Sequence, residues 1–432
     1  MVAAAIIPSV GETSGSHMMA ALVYDVGAVR WATCKVIGRA WPGVFWSWLA
    51  GLSLRRVAVP ALPGPGWVRL RPVLGGICGT DVAAIMQRHH PANILQVFSG
   101  LPALLGHENV SVVEAVGAEV SRFRPGDRVV AEPTLSCVPR GIKPVCRQCA
   151  AGQFTLCDHF RDGPLPPGSM IGWNAFTGGS WSECFIAHES QLYRVPEAID
   201  DEQAVLVDPI AGALHAALRH RPTDDERVLI LGSGLLGMGV AMSLRALGSR
   251  CRLYALARHP RQVELMQRAR VDEVIRTRRG DNQAARYAAV AATIGGTIIP
   301  SMFGHHAFLG GFDVVYDCIG SGQSLTDAMK YARPRGTVVE VGTSQIGIVD
   351  TCPLWFDELT LVGTNGRAFE RYDGRTMHTY EVVFELIGRG KLDLRGLVTH
   401  RFRTDQYQEA FATLADRGRT GAVKVTFEPG SK

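Results

Sequence analysis

Dense blocks of Lys and Arg with interleaved aromatics are missing from this sequence, and without them a nucleic-acid partner has no footprint. The net charge of +5 is mild for 432 residues. A secretory leader is not legible either, because the opening MVAAAIIPSV has no charged n-region and no long apolar core. ALVYDVG reads as a first strand just after Met18 and Met19, which leaves residues 1–17 as a weakly structured extension. The apolar segment Trp41–Leu52 (WPGVFWSWLAGL) has twelve residues, too few for a bilayer span that needs about 20. Flanked by Arg39, Arg55 and Arg56, it reads as a helix packed on the core or on a neighbouring subunit, with membrane-surface binding as the alternative. Internal repeats are absent. Charged residues are only 20% of the chain against 47% hydrophobic, which excludes disorder as the overall state.

The length exceeds one ordinary core, so two domains are expected. Of ten cysteines, four crowd between Cys137 and Cys157. Such crowding in a long chain points to metal rather than to disulfides, and to a reducing, cytoplasmic compartment. From Val57 to Phe185 short β-type runs alternate with Gly and Pro (GWVRLRPVL, NVSVVEAVG, DRVVAEP, GSWSECFIA), the texture of a turn-rich β domain. EQAVLVDPIAGALHAAL is helical in period. RVLILGSG then opens an alternation of strands and helices that implies parallel βαβ units. The tail from about Gly363, closing on VKVTF, is expected to complete the first domain. The fold class is thus α/β plus β, divided at 1–209, 210–362 and 363–432. Residues 279–311 carry no assignable pattern.

Gly232-Ser233-Gly234-Leu235-Leu236-Gly237 fits G-x-G-x-x-G, follows an apolar strand and opens a helix. Gly232 permits the tight turn, Gly234 lets the backbone approach a pyrophosphate, and Gly237 allows close helix–strand packing. The helix N-terminus offers free N–H groups to the phosphates. An acid that would bind the ribose hydroxyls is missing at the end of the next strand, where Leu256-Ala257-Arg258-His259 stands. Arg258 sits where a 2′-phosphate would lie, which favours NADP(H) over NAD(H). The alternative is a plain surface arginine.

A second constellation combines Gly76-Ile77-Cys78-Gly79-Thr80-Asp81 with Gly106-His107-Glu108. Cys78 and His107 are donors suited to Zn²⁺, and Asp81 is placed to fix the His107 ring. GICGTD, GHE, GDRVV, a cysteine cluster and GSGLLG occur here in one order. In that order the chain resembles the zinc-dependent alcohol dehydrogenases of the medium-chain dehydrogenase/reductase superfamily, with the texture of the bacterial sorbitol and threonine dehydrogenase-like branch. The resemblance runs from about Gly64 to the end.

The resemblance implies a GroES-like catalytic domain and a Rossmann coenzyme domain, assembled as a homodimer or homotetramer. It places a catalytic zinc on Cys78 and His107, with Glu108 as a further or exchangeable ligand. Asp208 takes the position of a third or near ligand; it is one methylene shorter than the usual glutamate, which leaves direct ligation open. Thr80 would accept the substrate proton. Many relatives have a histidine two residues after the Asp81 position; here Ala83 stands there, so the relay would use ribose hydroxyls, water, or His89 or His90. Cys137, Cys146, Cys149 and Cys157 resemble a structural zinc lobe (137–157). Eight residues separate the first two where two are usual, and the alternative is a three-Cys remnant with Cys137 free. Thr343 would line the cofactor cleft and Lys424 would contact the pyrophosphate. The activity implied is hydride transfer between an alcohol, polyol or hydroxy compound and NAD(P). Its alternatives are an NADPH-dependent aldehyde or ketone reductase and a non-catalytic nucleotide-binding relative.

Overall fold

The computed structural model describes residues 18–278, 280–302 and 306–430. The extension over residues 1–17 lies outside them. Two large sheets organise the chain. One is a six-stranded parallel sheet in the spatial order Glu273–Arg276, Arg252–Ala257, Arg227–Leu231, Phe312–Asp317, Ala332–Glu340, Thr360–Gly363. In chain order that is 3-2-1-4-5-6, the doubly wound arrangement with its switch point between Arg227–Leu231 and Phe312–Asp317. Both faces are covered, and the strands read as continuous apolar runs, as RVLIL does with four of its five residues buried.

The second sheet is mixed. Trp67–Gly76 pairs with Glu108–Val116 on one side and with Lys424–Glu428 on the other, and Val398–Arg403 lies beyond, parallel to Lys424–Glu428. The C-terminal tail therefore returns to the sheet that carries the GICGTD and GHE segments. Helix Val207–Arg219 joins the two halves. It buries Ile210, Ala211, Ala213 and Leu214 and packs on helix Leu235–Ala246. Small residues allow the approach: a Cβ at Gly239 would lie 2.9 Å from the Ala213 Cβ.

The apolar segment Trp41–Leu52 differs from expectation. It forms two 3₁₀ turns, Pro42–Trp46 and Trp48–Ala50, because Pro42 and Gly43 break an α-helix and Gly51 reverses the chain at φ +89°. The helix of this region lies earlier, at Ala28–Ile37. GSWSECFIA also yields less strand than its pattern implies. Phe185–His188 forms its strand and Ser182 only an isolated bridge to Ala21, while Ser180 and Trp181 turn their side chains to the Glu108 and Gly76 carbonyls at 2.8 and 3.0 Å. Residues 279–311 contain a helix, Gln283–Ile294, and a hairpin, Thr297–Pro300 with His306–Leu309.

Candidate active site

Three donors converge although they are remote in sequence. Cys78 ends the turn after Trp67–Gly76, and Thr80 lies on the first turn of the helix Gly79–Ile85 that follows. Glu108 opens the neighbouring strand and His107 immediately precedes it. Pairing Gly76 with Glu108 brings the two segments side by side. A Cβ at Gly76 would lie 2.2 Å from Glu108 Oε2, so only glycine leaves room for that carboxylate. The Cys78 sulfur, a His107 ring nitrogen and a Glu108 carboxylate oxygen all lie within 4.8 Å of one another.

Asp81 organises this cluster from behind. It is fully buried; its Oδ2 accepts the Cys78 N–H at 3.2 Å and its Oδ1 accepts Trp173 Nε1–H at 2.9 Å. The same Oδ1 lies 3.3 Å from His107 Nδ1, which leaves Nε2 as the nitrogen available to an ion. Burial works to lower the His107 pKa, but Asp81 and Cys78 outweigh it and hold the ring well above the ordinary value.

The donor set fits zinc on three counts. A thiolate, an imidazole and a carboxylate are its usual ligands. Among the described residues Glu108 has no donor apart from the Lys424 ammonium, and its buried Oε1 is unpartnered. Four buried carboxylates, Asp81, Glu108, Glu132 and Asp208, also outnumber two largely buried cations, Lys424 and Arg367, so a divalent ion would offset excess negative charge.

Two residues sit differently from expectation. Lys424 is 3% exposed; its ammonium pairs with Glu108 and donates to the Ile77 carbonyl at 3.1 Å, so it faces the three-donor cluster rather than the surface where a pyrophosphate would lie. Asp208 is outside the three-residue donor group. Its Oδ1 is held by Arg367 at 3.1 Å and by the Tyr380 hydroxyl. Arg367 in turn lies 3.1 Å from Glu132. Arg367, Glu132 and Tyr380 were invisible in the sequence, since each is a lone polar residue with no motif and only folding assembles them.

The four cysteines form a compact nest. Cys137 and Cys157 sulfurs are 3.6 Å apart, and those of Cys146 and Cys157 are 4.0 Å apart, bracketing the roughly 3.8 Å of a tetrahedral site with 2.3 Å Zn–S bonds. Cys137 belongs to the group despite its long loop. N–H groups of Cys146, Cys149 and His159 point at the sulfurs at 3.3–3.5 Å. Against the burial that raises it, donors from Asp158 and Cys149 bring the Cys146 thiol down to about 7.

The glycine-rich turn sits at the switch point. Gly232 has φ +106°, a Cβ on Gly237 would lie 2.1 Å from the Gly232 carbonyl oxygen, and space is open around Gly234, the N-cap of the helix that carries Leu236. Beyond the next strand, Arg258, His259, Arg276 and Arg278 line a hollow of about 560 Å³. Glu264 on its wall is engaged by Arg261 at 2.9 Å. Arg276 and Arg278 add two cations that sequence reading did not single out, although the run IRTRR carries them.

The two halves meet across the cleft. Thr343 lies in the loop after Ala332–Glu340, against Gly320. In that loop Gln345 Oε1 is 2.9 Å from His89 Nδ1, and the Ser344 carbonyl accepts from Asn93 at 3.3 Å. His89 is thus a buried contact between halves, whereas His90 is exposed with Nδ1 accepting the Ala92 N–H. Gly418, one residue beyond Arg417, approaches His259. The Cys78 end of one sheet therefore faces the C-terminal edge of the other.

Comparisons with known proteins agree with this layout. Residues 64–197 match the family described as Alcohol dehydrogenase GroES-like domain, and residues 236–387 match Zinc-binding dehydrogenase. An L-idonate 5-dehydrogenase of Vitis vinifera is 28% identical over 88% of this chain and 93% of its own length. An L-threonine 3-dehydrogenase of Anaeromyxobacter dehalogenans is 28% identical over 82% and 90%. In fold, the chain is similar to 2R,3R-butanediol dehydrogenase of Bacillus subtilis (TM-score 0.68, 21% identity, 95% of this chain and 100% of the other). It is equally similar to an NADP-bound zinc-binding dehydrogenase of Sinorhizobium meliloti (TM-score 0.68, 22% identity, 96% and 100%). Two family matches that together span most of the chain, around a cysteine–histidine–glutamate cluster and a dinucleotide turn, make this chain a member of the zinc-dependent alcohol dehydrogenases of the medium-chain dehydrogenase/reductase superfamily.

Proposed function

We propose that this protein moves a hydride between the carbinol carbon of a small polyol or hydroxy compound and a nicotinamide cofactor, with zinc held by Cys78, His107 and Glu108. The observation that carries the reading is the convergence of those three donors, backed by Asp81, at the end facing the coenzyme sheet. The substrate class follows the relatives, which are named for L-idonate, sorbitol and L-threonine. Zinc, when bound, supplies the Lewis acidity that makes a hydroxyl acidic or a carbonyl electrophilic.

The chain's own residues do the rest. Asp81 fixes the tautomer of His107, and Lys424 holds the Glu108 carboxylate. The Thr80 hydroxyl takes the substrate proton and passes it outward, since His89 is engaged by Gln345 and Ala83 has no proton to give. The turn Gly232–Gly237 and the free N–H groups after it bind the pyrophosphate, and the Thr343–Gln345 loop orients the reacting ring. Closing the two halves on each other excludes water.

Arg258, Arg276 and Arg278 favour NADP(H), because a 2′-phosphate would find three guanidinium groups and, among the described residues lining that hollow, no unpaired acid. Ten cysteines, none of them in a disulfide, fit a reducing, cytoplasmic setting, and among the described residues no helix is long and apolar enough to cross a membrane. A second copy of the chain would pair at the open edge strand Thr360–Gly363, beside exposed Trp355 and Phe356.

Zinc analysis of wild type and Cys78→Ser, combined with a screen of polyols and β-hydroxy acids with both nicotinamide cofactors, tests the reading. About two zinc ions per chain in wild type, about one in the variant, and NADP-linked turnover only in wild type are expected. Equal zinc in both would overturn it.

A further inference from the structure

We infer that Arg367 is a positioning residue that tethers Asp208 outside the zinc ligand set and so keeps one coordination position free for substrate. The inference rests on the reading of Cys78, His107 and Glu108 as a zinc site. Asp208 lies on the first turn of Val207–Arg219, a helix that packs against the strand Glu108–Val116, which starts at the Glu108 donor. A fourth protein ligand at this metal would close the site, and closed zinc sites are structural rather than catalytic.

The tether is built from several sides. Arg367 and the Tyr380 hydroxyl share Asp208 Oδ1, and Glu132, 3.1 Å away, steadies the other edge of the guanidinium. Glu132 is itself held, since its carboxylate accepts the Thr134 hydroxyl at 2.6 Å and the Thr134 N–H at 3.1 Å. The backbone at Arg367 is pinned to the cysteine lobe. Thr155 donates to the Asn365 and Arg367 carbonyls at 2.9 and 3.2 Å, and Phe369 N–H donates to the Gly152 carbonyl at 3.1 Å. Side-chain exposures of 11, 8 and 4% for Arg367, Asp208 and Glu132 keep water from competing. The lobe thus acts as a buttress, and Arg367 carries its rigidity to the zinc site.

The test uses the zinc-loaded enzyme and its cobalt(II)-substituted form. Asp208→Asn should leave the rate of zinc release to a chelator within about threefold of wild type. If Asp208 were a ligand, its loss would speed release by at least about tenfold, and that result would overturn the inference. Arg367→Met should do the opposite: slow zinc release, and abolish the change in the cobalt visible spectrum that azide causes in wild type. Arg367→Lys should keep the azide response, and Arg367→Met with Asp208→Asn should regain it. An azide response unchanged in Arg367→Met would also overturn the inference. Should Arg367→Met fail to fold, the Asp208→Asn result decides alone. Loss of zinc from Cys78→Ser is scored separately, so failure of the site itself is distinguishable from failure of the tether.

Discussion

The two sulfur-bearing clusters differ in where their ligands come from and in what surrounds them. The four cysteines lie within 21 residues of one lobe, and backbone N–H groups are the principal polar neighbours of their sulfurs. The other cluster draws Cys78 and His107–Glu108 from separate strands and is ringed by Asp81, Lys424, Asp208 and Arg367. Four thiolates saturate a tetrahedral ion, whereas three mixed donors leave a place open. On the proposed reading the difference makes one site rigid and the other open to exchange, and the hydrogen bonds of Thr155 tie the lobe to the segment that carries Arg367.

The comparison breaks first at the lobe. Cys146→Ser should remove about one zinc per chain and lower the thermal midpoint by more than about 5 °C, since binding at a closed site is folding free energy. Calorimetry with metal analysis checks this; an unchanged midpoint would erase the distinction. Cys78→Ser should do the reverse, cutting kcat/KM by at least about 10³-fold while the midpoint stays within about 3 °C. Steady-state kinetics beside a melting curve reads both. A smaller effect sharpens the open side. Arg258→Asp should lower kcat/KM for NADP relative to NAD by about 10–100-fold, the worth of one charge-assisted hydrogen bond to a phosphate. An unchanged ratio would remove the NADP preference.

The smallest effect concerns His378, which stacks on Phe154 of the lobe and on Tyr193. Burial, with Arg367 adding to it, pushes the His378 pKa well below the ordinary imidazole value. The unfolded chain therefore takes up a proton at about pH 6.5 that the folded chain refuses. Stability from this residue is full above that pH and falls as pH drops below it, by up to about 1.4 kcal/mol per pH unit. His378→Asn keeps an N-cap acceptor for Tyr380 N–H and should flatten that slope in urea melts at pH 7.5, 6.5 and 5.5. A slope equal to wild type would discharge the assignment.

Much of the fold was legible because its signals are local. The RVLIL strand ends where its pattern ends, and the glycine turn follows at once. Trp41–Leu52 misled because apolar composition alone does not distinguish an α-helix from 3₁₀ turns around Pro42 and Gly43. Arg276 and Arg278 went unnoticed because an arginine run reads as solvated surface until two strand ends bring it beside Arg258.

By itself the sequence determined the chemistry on offer: thiols at lobe spacing, a cysteine and a histidine–glutamate pair, and a turn only glycines can make. Those properties reside in residue types and short intervals, which no later folding step alters. Tertiary structure alone decided the distribution of buried charge, turning Lys424 to Glu108 and Arg367 to Asp208. Such pairings depend on which strands and helices lie side by side in a low-dielectric interior, and one-dimensional spacing holds no record of that.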